Sequence, residues 1–142
     1  MSANSRFTVA IHALAWMALV QPRRQGRVMT SDEIAGSVNT NPVVIRRILG
    51  RLREAGLVVS QRGHGAGWLL ARDPAAIDLA AVYDAVEDAP LFDLHATPPN
   101  PTCPVGNGIQ PVLKQTYGRV ATALHAELAT TSIADVLKDT LI

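Results

Sequence analysis

The segment "NTNPVVIRRILGRLREAGL" (39–57) constrains this chain more than any other stretch. Asn41 followed by Pro42 reads as a helix N-cap and first helical position, because proline lacks the NH that would go unpaired there. Ile45, Ile48, Leu49 and Leu52 then fall at i, i+3, i+4 and i+7 and form one apolar stripe, while Arg46, Arg47, Arg51 and Arg53 occupy the other faces. Gly56 ends the helix, since glycine tolerates the left-handed conformation after the last turn. Just upstream, Thr30 and Glu33 in "TSDE" have capping-box spacing, so a short helix starts there and carries Ile34, Ala35 and Val38 inward. Two short helices joined by "VNTN", the second basic on the side away from the core, have the form of a helix-turn-helix. An ordinary helical hairpin with a solvated arginine face would share that pattern.

The next stretch separates the two. "LVVSQ" (57–61) and "WLLAR" (68–72) are short β-prone runs, and Arg62 to Gly67 between them hold three glycines, as a tight hairpin requires. A phosphate-cradling glycine loop needs a strand before it, a helix after it and a closing Lys-Ser or Lys-Thr. Here the glycines join two strands and no lysine follows. A helix-turn-helix followed at once by a hairpin is a winged helix, and the hairpin is its wing.

Charge supports that reading. Net charge over the 142 residues is only +1, but residues 1–72 carry ten Lys or Arg against three Asp or Glu, and residues 73–142 carry three against nine. A basic half suits displacement of counterions from a nucleic acid, and an acidic, apolar half suits packing on protein. The expected fold is mainly α with a small β-hairpin wing: a winged helix-turn-helix plus a long C-terminal dimerisation helix. Residues 1–72 form the DNA-binding region, with an N-terminal helix at 5–20, the helix-turn-helix at 30–56 and the wing at 57–72. In the first helix Phe7, Ile11, Leu14 and Ala18 line one face and Val9, Ala13, Trp16 and Val20 a second, so it is wrapped on most sides. Its apolar run is too short to span a bilayer, so no membrane partner and a cytoplasmic location are expected.

Residues 73–142 provide a linker, a sensing loop and dimerisation helices, packed as one domain with the first part. A short helix in 77–89 places Leu79, Val82, Tyr83 and Val86 on one face, and the proline-rich 90–104 is irregular. Ile109, Val112, Leu113, Thr116, Val120 and Leu124 mark a long amphipathic helix whose stripe needs a partner surface, which a second copy of the chain supplies. Ser132 caps a last helix that docks through Ile133, Val136 and Leu137.

Together "SRFTVAIHALAWMAL", "NPVVIRRILGRLREAGLV", "RGHGAGWLLAR", "VYDAVE" and "SIADVL" resemble the Rrf-two family of bacterial winged-helix transcription regulators over nearly the whole chain. The resemblance implies a homodimer held by the long helix, which binds a roughly palindromic operator in double-stranded DNA with two recognition helices and two wings. Well-studied members hold an iron–sulfur cluster through three cysteines near the start of that helix. This chain has Cys103 alone, so no cluster and no cofactor is expected, and the chain resembles the cluster-free branch.

In such a dimer the recognition helices enter major grooves about 34 Å apart. Thr40, Val43, Val44 and Arg47 are the candidates for base edges, since arginine bonds guanine bidentately and valine packs on a thymine methyl. Asn41 serves the cap, Arg46, Arg51 and Arg53 pair with phosphates, and Arg62, His64 and the NH groups of Gly63, Gly65 and Gly67 follow the DNA backbone or the minor groove. Cys103, just before Pro104, has two readings: a half-buried structural residue, or a thiol that senses oxidation or modification at a helix N-terminus. His95 and His125 could join it around a metal, but no tight spacing supports that, and no metal site is expected. His12 reads as a core or interface residue, and Trp16 and Trp68 as packing anchors. The expected function is a sequence-specific DNA-binding regulator, a repressor modulated through Cys103. The alternatives are control by a small ligand or metal with Cys103 structural, and a winged-helix protein–protein adaptor. No motif places a histidine base beside Cys103, so an enzyme is not expected.

Overall fold

The computed structural model describes residues 3–142; residues 1 and 2 of the expected DNA-binding region lie outside the described residues. In chain order it contains α1 (Ala3–Val20), α2 (Ser31–Val38), α3 (Pro42–Glu54), β1 (Val58–Gln61), β2 (Gly67–Leu70), α4 (Leu79–Val86), α5 (Pro104–Leu128) and α6 (Ile133–Thr140). Among the described residues no helix is long and apolar enough to cross a membrane.

α1 lies at the centre, packed against α2, α3, α4 and α6. Its fully buried stripe is Ala10, Ala13, Leu14 and Met17, which falls between the two faces expected from sequence; Phe7, Ile11, Val9, Trp16 and Val20 flank it half-buried. His12 is not in the core. It sits on the exposed edge of α1, with its Nε2 3.0 Å from Ser37 Oγ on α2. The core continues through Met29, Ile34, the α3 stripe of Ile45, Ile48, Leu49 and Leu52, then Leu57, Val58 and Leu70, and finally Ile77, Val82, Val86 and Ile133.

Local chemistry sets the helix ends. The Glu33 NH donates to Thr30 Oγ1 at 3.1 Å and the Thr30 NH donates to Glu33 Oε1 at 3.2 Å, a complete capping box at α2. Arg24 also bonds the Glu33 carboxylate. Asn41 Oδ1 accepts from the Val43 NH at 2.8 Å with Pro42 at the first helical position, and Gly56 follows α3 with φ +78°. A second capping box, Ser132 with Asp135, opens α6. The Ile133 NH donates to Ile77 O at 2.8 Å and the Leu79 NH to Thr131 O at 2.9 Å, which stitches α6 to the start of α4.

β1 and β2 pair antiparallel, with Val58 opposite Leu70 and Gln61 opposite Gly67. A third strand-like piece carries no signal in the sequence: Met29 and Trp68 exchange backbone hydrogen bonds of 2.9 and 2.8 Å. That crossing chain explains Gly67, where a Cβ would stand 2.7 Å from both Met29 O and Val28 Cγ2. α5 begins at Pro104, earlier than the apolar stripe suggested, and continues through Pro111. None of its residues is buried, although it meets α4.

Gly67→Ala is therefore expected to destabilise the fold by about 1–3 kcal/mol through forced displacement of backbone, read as a lower Tm in thermal unfolding. The Glu33 carboxyl titrates below its ordinary value, chiefly because Arg24 bonds it. A lowered folded value means the contribution is complete above the unfolded carboxylate value of about 4.3 and vanishes as pH falls through the folded one. The Tm gap between the native protein and Glu33→Gln should thus be widest near neutrality and close in acid, as thermal melts across pH will show.

Candidate nucleic-acid interface

α2, the turn Asn39–Asn41 and α3 form the helix-turn-helix. Asn39 takes the left-handed conformation at φ +63°, and its NH and that of Thr40 both return to Ala35 O, at 2.8 and 3.2 Å. The buried stripe of α3 faces α1 and α2, so its opposite side is left in water. Val43, Arg46 and Arg47 are exposed there, with Thr40 and Val44 half-buried beside them. Asn41 uses its side chain on the cap, as expected.

The wing adjoins this face. Arg62, Gly63, His64 and Gly65 are all exposed at its tip; Gly63 and Gly65 have φ of +84° and +77°, and the Ala66 NH closes a turn on Gly63 O at 3.1 Å. Between wing and helices runs an open cleft of about 420 Å³ that brings Arg46, Arg53 and Arg62 together with Thr30 and Asp32 at the start of α2. Gly67, whose NH was expected at DNA, is buried at the base of the hairpin under Met29.

Two arginines of α3 serve the protein itself. Arg51 donates from one nitrogen to Val86 O at 3.1 Å and to Asp88 Oδ2 at 2.6 Å, which turns it toward the end of α4 and away from the phosphate role expected of it. Arg53 donates to Ser60 Oγ at 3.1 Å and lies 5.6 Å over the Trp68 ring. Arg46, Arg47 and Arg62 have no carboxylate partner among the described residues. Two further cations, not expected from the sequence, stand nearby: Arg6 lines a cleft with Val44 and Arg47, and Arg27 lines another with Gly65 and Ala66 of the wing. Arg27 stood in the polar "QPRRQGRV", where nothing in the sequence marked its proximity to the hairpin.

On the far side, α5 carries Ile109, Val112, Leu113, Thr116 and Val120, with Val112 62% exposed. Leu124 departs from that set, since it points toward α4 and lines a cavity with Tyr83 and Phe92. Cys103 is fully on the surface rather than half-buried, as the N-cap of α5. The backbone amides of Gly106 and then Val105 draw its thiol below the ordinary value. The turn that presents it is fixed: Asn100 Oδ1 accepts from the Thr102 NH at 3.0 Å, and Asn100 O lies so close to Gly106 that a Cβ there would sit 2.2 Å away. Among the described residues no three His, Cys, Asp or Glu side chains converge on a metal position, and His125 is engaged with Asp84 at 2.8 Å.

The family model for Rrf2, described as an iron-dependent transcriptional regulator, matches residues 3–139. The chain is 43% identical over 135 residues to YwnA of Bacillus subtilis, which is assigned as an HTH-type transcriptional regulator, covering 94% of this chain and 96% of that protein. Among solved structures it is similar to a protein assigned as DNA-binding, with TM-score 0.73, 40% identity and coverage of 94% of this chain and 99% of that one. It is also similar to a structure assigned as a transcriptional regulator of Lactobacillus plantarum, with TM-score 0.78, 26% identity and coverage of 96% and 89%. A cluster held by three thiolates of one chain does not fit the donor set, because Cys103 is the sole cysteine of the sequence. With the winged helix-turn-helix, its basic face and these matches in hand, the chain belongs to the Rrf2 family, whose members are DNA-binding transcriptional regulators and not enzymes.

Proposed function

We propose that the protein is a cytoplasmic homodimer that binds a palindromic operator in double-stranded DNA and represses transcription by occupying it. The observation that carries this is a set of exposed arginines on the helix-turn-helix and wing: Arg46 and Arg62 line the cleft between them, Arg47 lines another with Val44, and none has a carboxylate partner among the described residues. Val43, Val44, Thr40 and Arg47 stand where a helix in the major groove meets base edges, and Asn41 fixes the turn that aims them. Arg46, Arg62, Arg27, His64 and the NH groups of Gly63 and Gly65 flank them at positions suited to phosphates or the minor groove. Arg51 is assigned to the contact with α4.

The second copy is supported by α5. Tyr117, Leu124 and His125 turn toward α4, while Val105, Val112 and Val120 are exposed, with Ile109, Leu113 and Thr116 half-buried along the same helix. An apolar stripe along a 25-residue helix with no buried residue is suited to its own copy. In this reading Cys103 modulates DNA binding: it is exposed, and its thiolate is favoured by the amides that begin α5. A structural thiol, with control by a small ligand instead, is the second reading, favoured by the cavity at Leu124.

Selection of bound fragments from random duplex DNA supplies the operator for the tests. Arg47→Ala is expected to weaken operator binding by about 1–3 kcal/mol and relax base preference at one position. Arg62→Ala should weaken all duplexes alike and reduce the slope of log K against log salt by about 1. Anisotropy titrations across salt separate the two, and no effect from either variant would overturn the interface. Val112→Glu should turn the dimer into a monomer in sedimentation, a result that a monomeric native protein would contradict. Cys103→Ser should bind operator normally but no longer respond to peroxide; an unchanged response would end the sensor reading.

A further inference from the structure

α4, residues 89–92 and α5 line a partly open cavity of about 220 Å³. Tyr83, Leu91, Phe92, Tyr117 and Leu124 form its walls. The Phe92 and Tyr117 rings stand 5.2 Å apart between centroids, tilted by 43°, and Tyr83 is held from behind by an edge contact of 5.3 Å with Phe7. Leu91 and Phe92 are each 50% exposed, large apolar side chains that gain from an apolar occupant. At the rim, the His125 Nε2 lies 2.8 Å from Asp84 Oδ2, and both side chains remain more than half exposed.

These dimensions and groups select a ligand class. An apolar cavity of about 150 Å³ admits benzene, so this one admits a single aromatic ring with a small substituent. Three aromatic side chains favour a ring over an aliphatic group of equal size. A hydroxyl on that ring can donate to the Asp84 carboxylate, whereas a carboxylate there would meet Asp84 with like charge. The cavity wall is also wired to the recognition helix. Ala89 and Phe92 line the cavity, and the adjacent Asp88 holds Arg51 of α3 at 2.6 Å. We propose that this cavity binds a single-ring hydroxyaromatic molecule, and that seating the ring against Phe92 moves Asp88 and, through Arg51, α3. The binding half stands alone; the transmission half rests on the DNA-binding reading above.

The test titrates the full chain with phenol, cyclohexanol and benzoate by calorimetry and by Tm shift, without DNA. Phenol is expected to bind and raise Tm, and cyclohexanol and benzoate to do neither. Ala121→Phe, which fills the cavity, should fold with native circular dichroism and lose phenol binding. Phe92→Ser, a change in an exposed segment, should weaken phenol binding about two- to tenfold and serves if the first variant does not fold. No binding of phenol, equal binding of cyclohexanol or benzoate, or unaltered binding by the variants overturns the site. Saturating phenol should then change operator affinity at least about fivefold, and Asp88→Asn should bind phenol yet lose that change. An operator affinity indifferent to phenol overturns the transmission alone, because operator binding by the phenol-free protein is read in the same titration.

Discussion

Trp68 is the joint on which the basic face depends. Its backbone exchanges two hydrogen bonds with Met29, its indole NH donates to Ser31 Oγ at 3.1 Å, and its ring lies beneath the Arg53 guanidinium. One residue thus ties the wing to the first turn of α2 and to the last turn of α3. A flexible hairpin would have its own orientation relative to the recognition helix; bonded at its base to both helices, it takes theirs. Beyond Gly67 the tip from Arg62 to Ala66 is exposed, and Gly63 and Gly65 adopt the left-handed conformations that its turn needs. Positioning comes from the packed base.

The unequal distribution of charge along the chain does more than select partners. Arg51 meets Asp88, and Arg6 lies 3.6 Å from Glu87, so two cations of the basic half are spent on the acidic turn that ends α4. Arg46, Arg47 and Arg62 have no carboxylate partner among the described residues; Arg46 and Arg62 line the cleft beside the wing and Arg47 lines another with Val44. Sorting of this kind leaves cations exposed beside the wing, with Asp32 as the one carboxylate in their cleft, while Arg51 ties the recognition helix to α4. The Arg51–Asp88 pair is largely exposed and contributes little to stability in itself, so its value here is geometric; Arg6 and Glu87 are set more deeply.

Much of this was legible in the sequence because each signal was local. The Thr30 and Glu33 box, the Asn41-Pro42 start and the stripe from Ile45 to Leu52 depend on residues within one or two turns, and the structure reproduces them. The hairpin between two β-prone runs was legible for the same reason. What failed to show depends on contacts across long separations. Nothing near Met29 announces that it pairs with Trp68, and Gly67 looked like a wing residue until Val28 and Met29 were seen against it. Arg51 and Arg53 lie on the same helix as Arg46 and Arg47, yet Arg51 bonds Val86 and Asp88, 35 and 37 residues away, and Arg53 bonds Ser60 across the turn into β1. Leu124 fits the apolar stripe of α5 by periodicity alone, but the helix turns a second face to α4 and takes Leu124 with it. His12 misled in the opposite way, since an apolar neighbourhood in sequence placed it inward while its position on the helix surface placed it outward.

The central place of Ile133 makes one folding unit of the two halves of the chain. This side chain, fully enclosed and bonded through its NH to Ile77, belongs to the same core as the helix-turn-helix although it stands far from it in sequence. Removal of α6 would therefore open the shared core that supports the recognition helix without touching a single arginine.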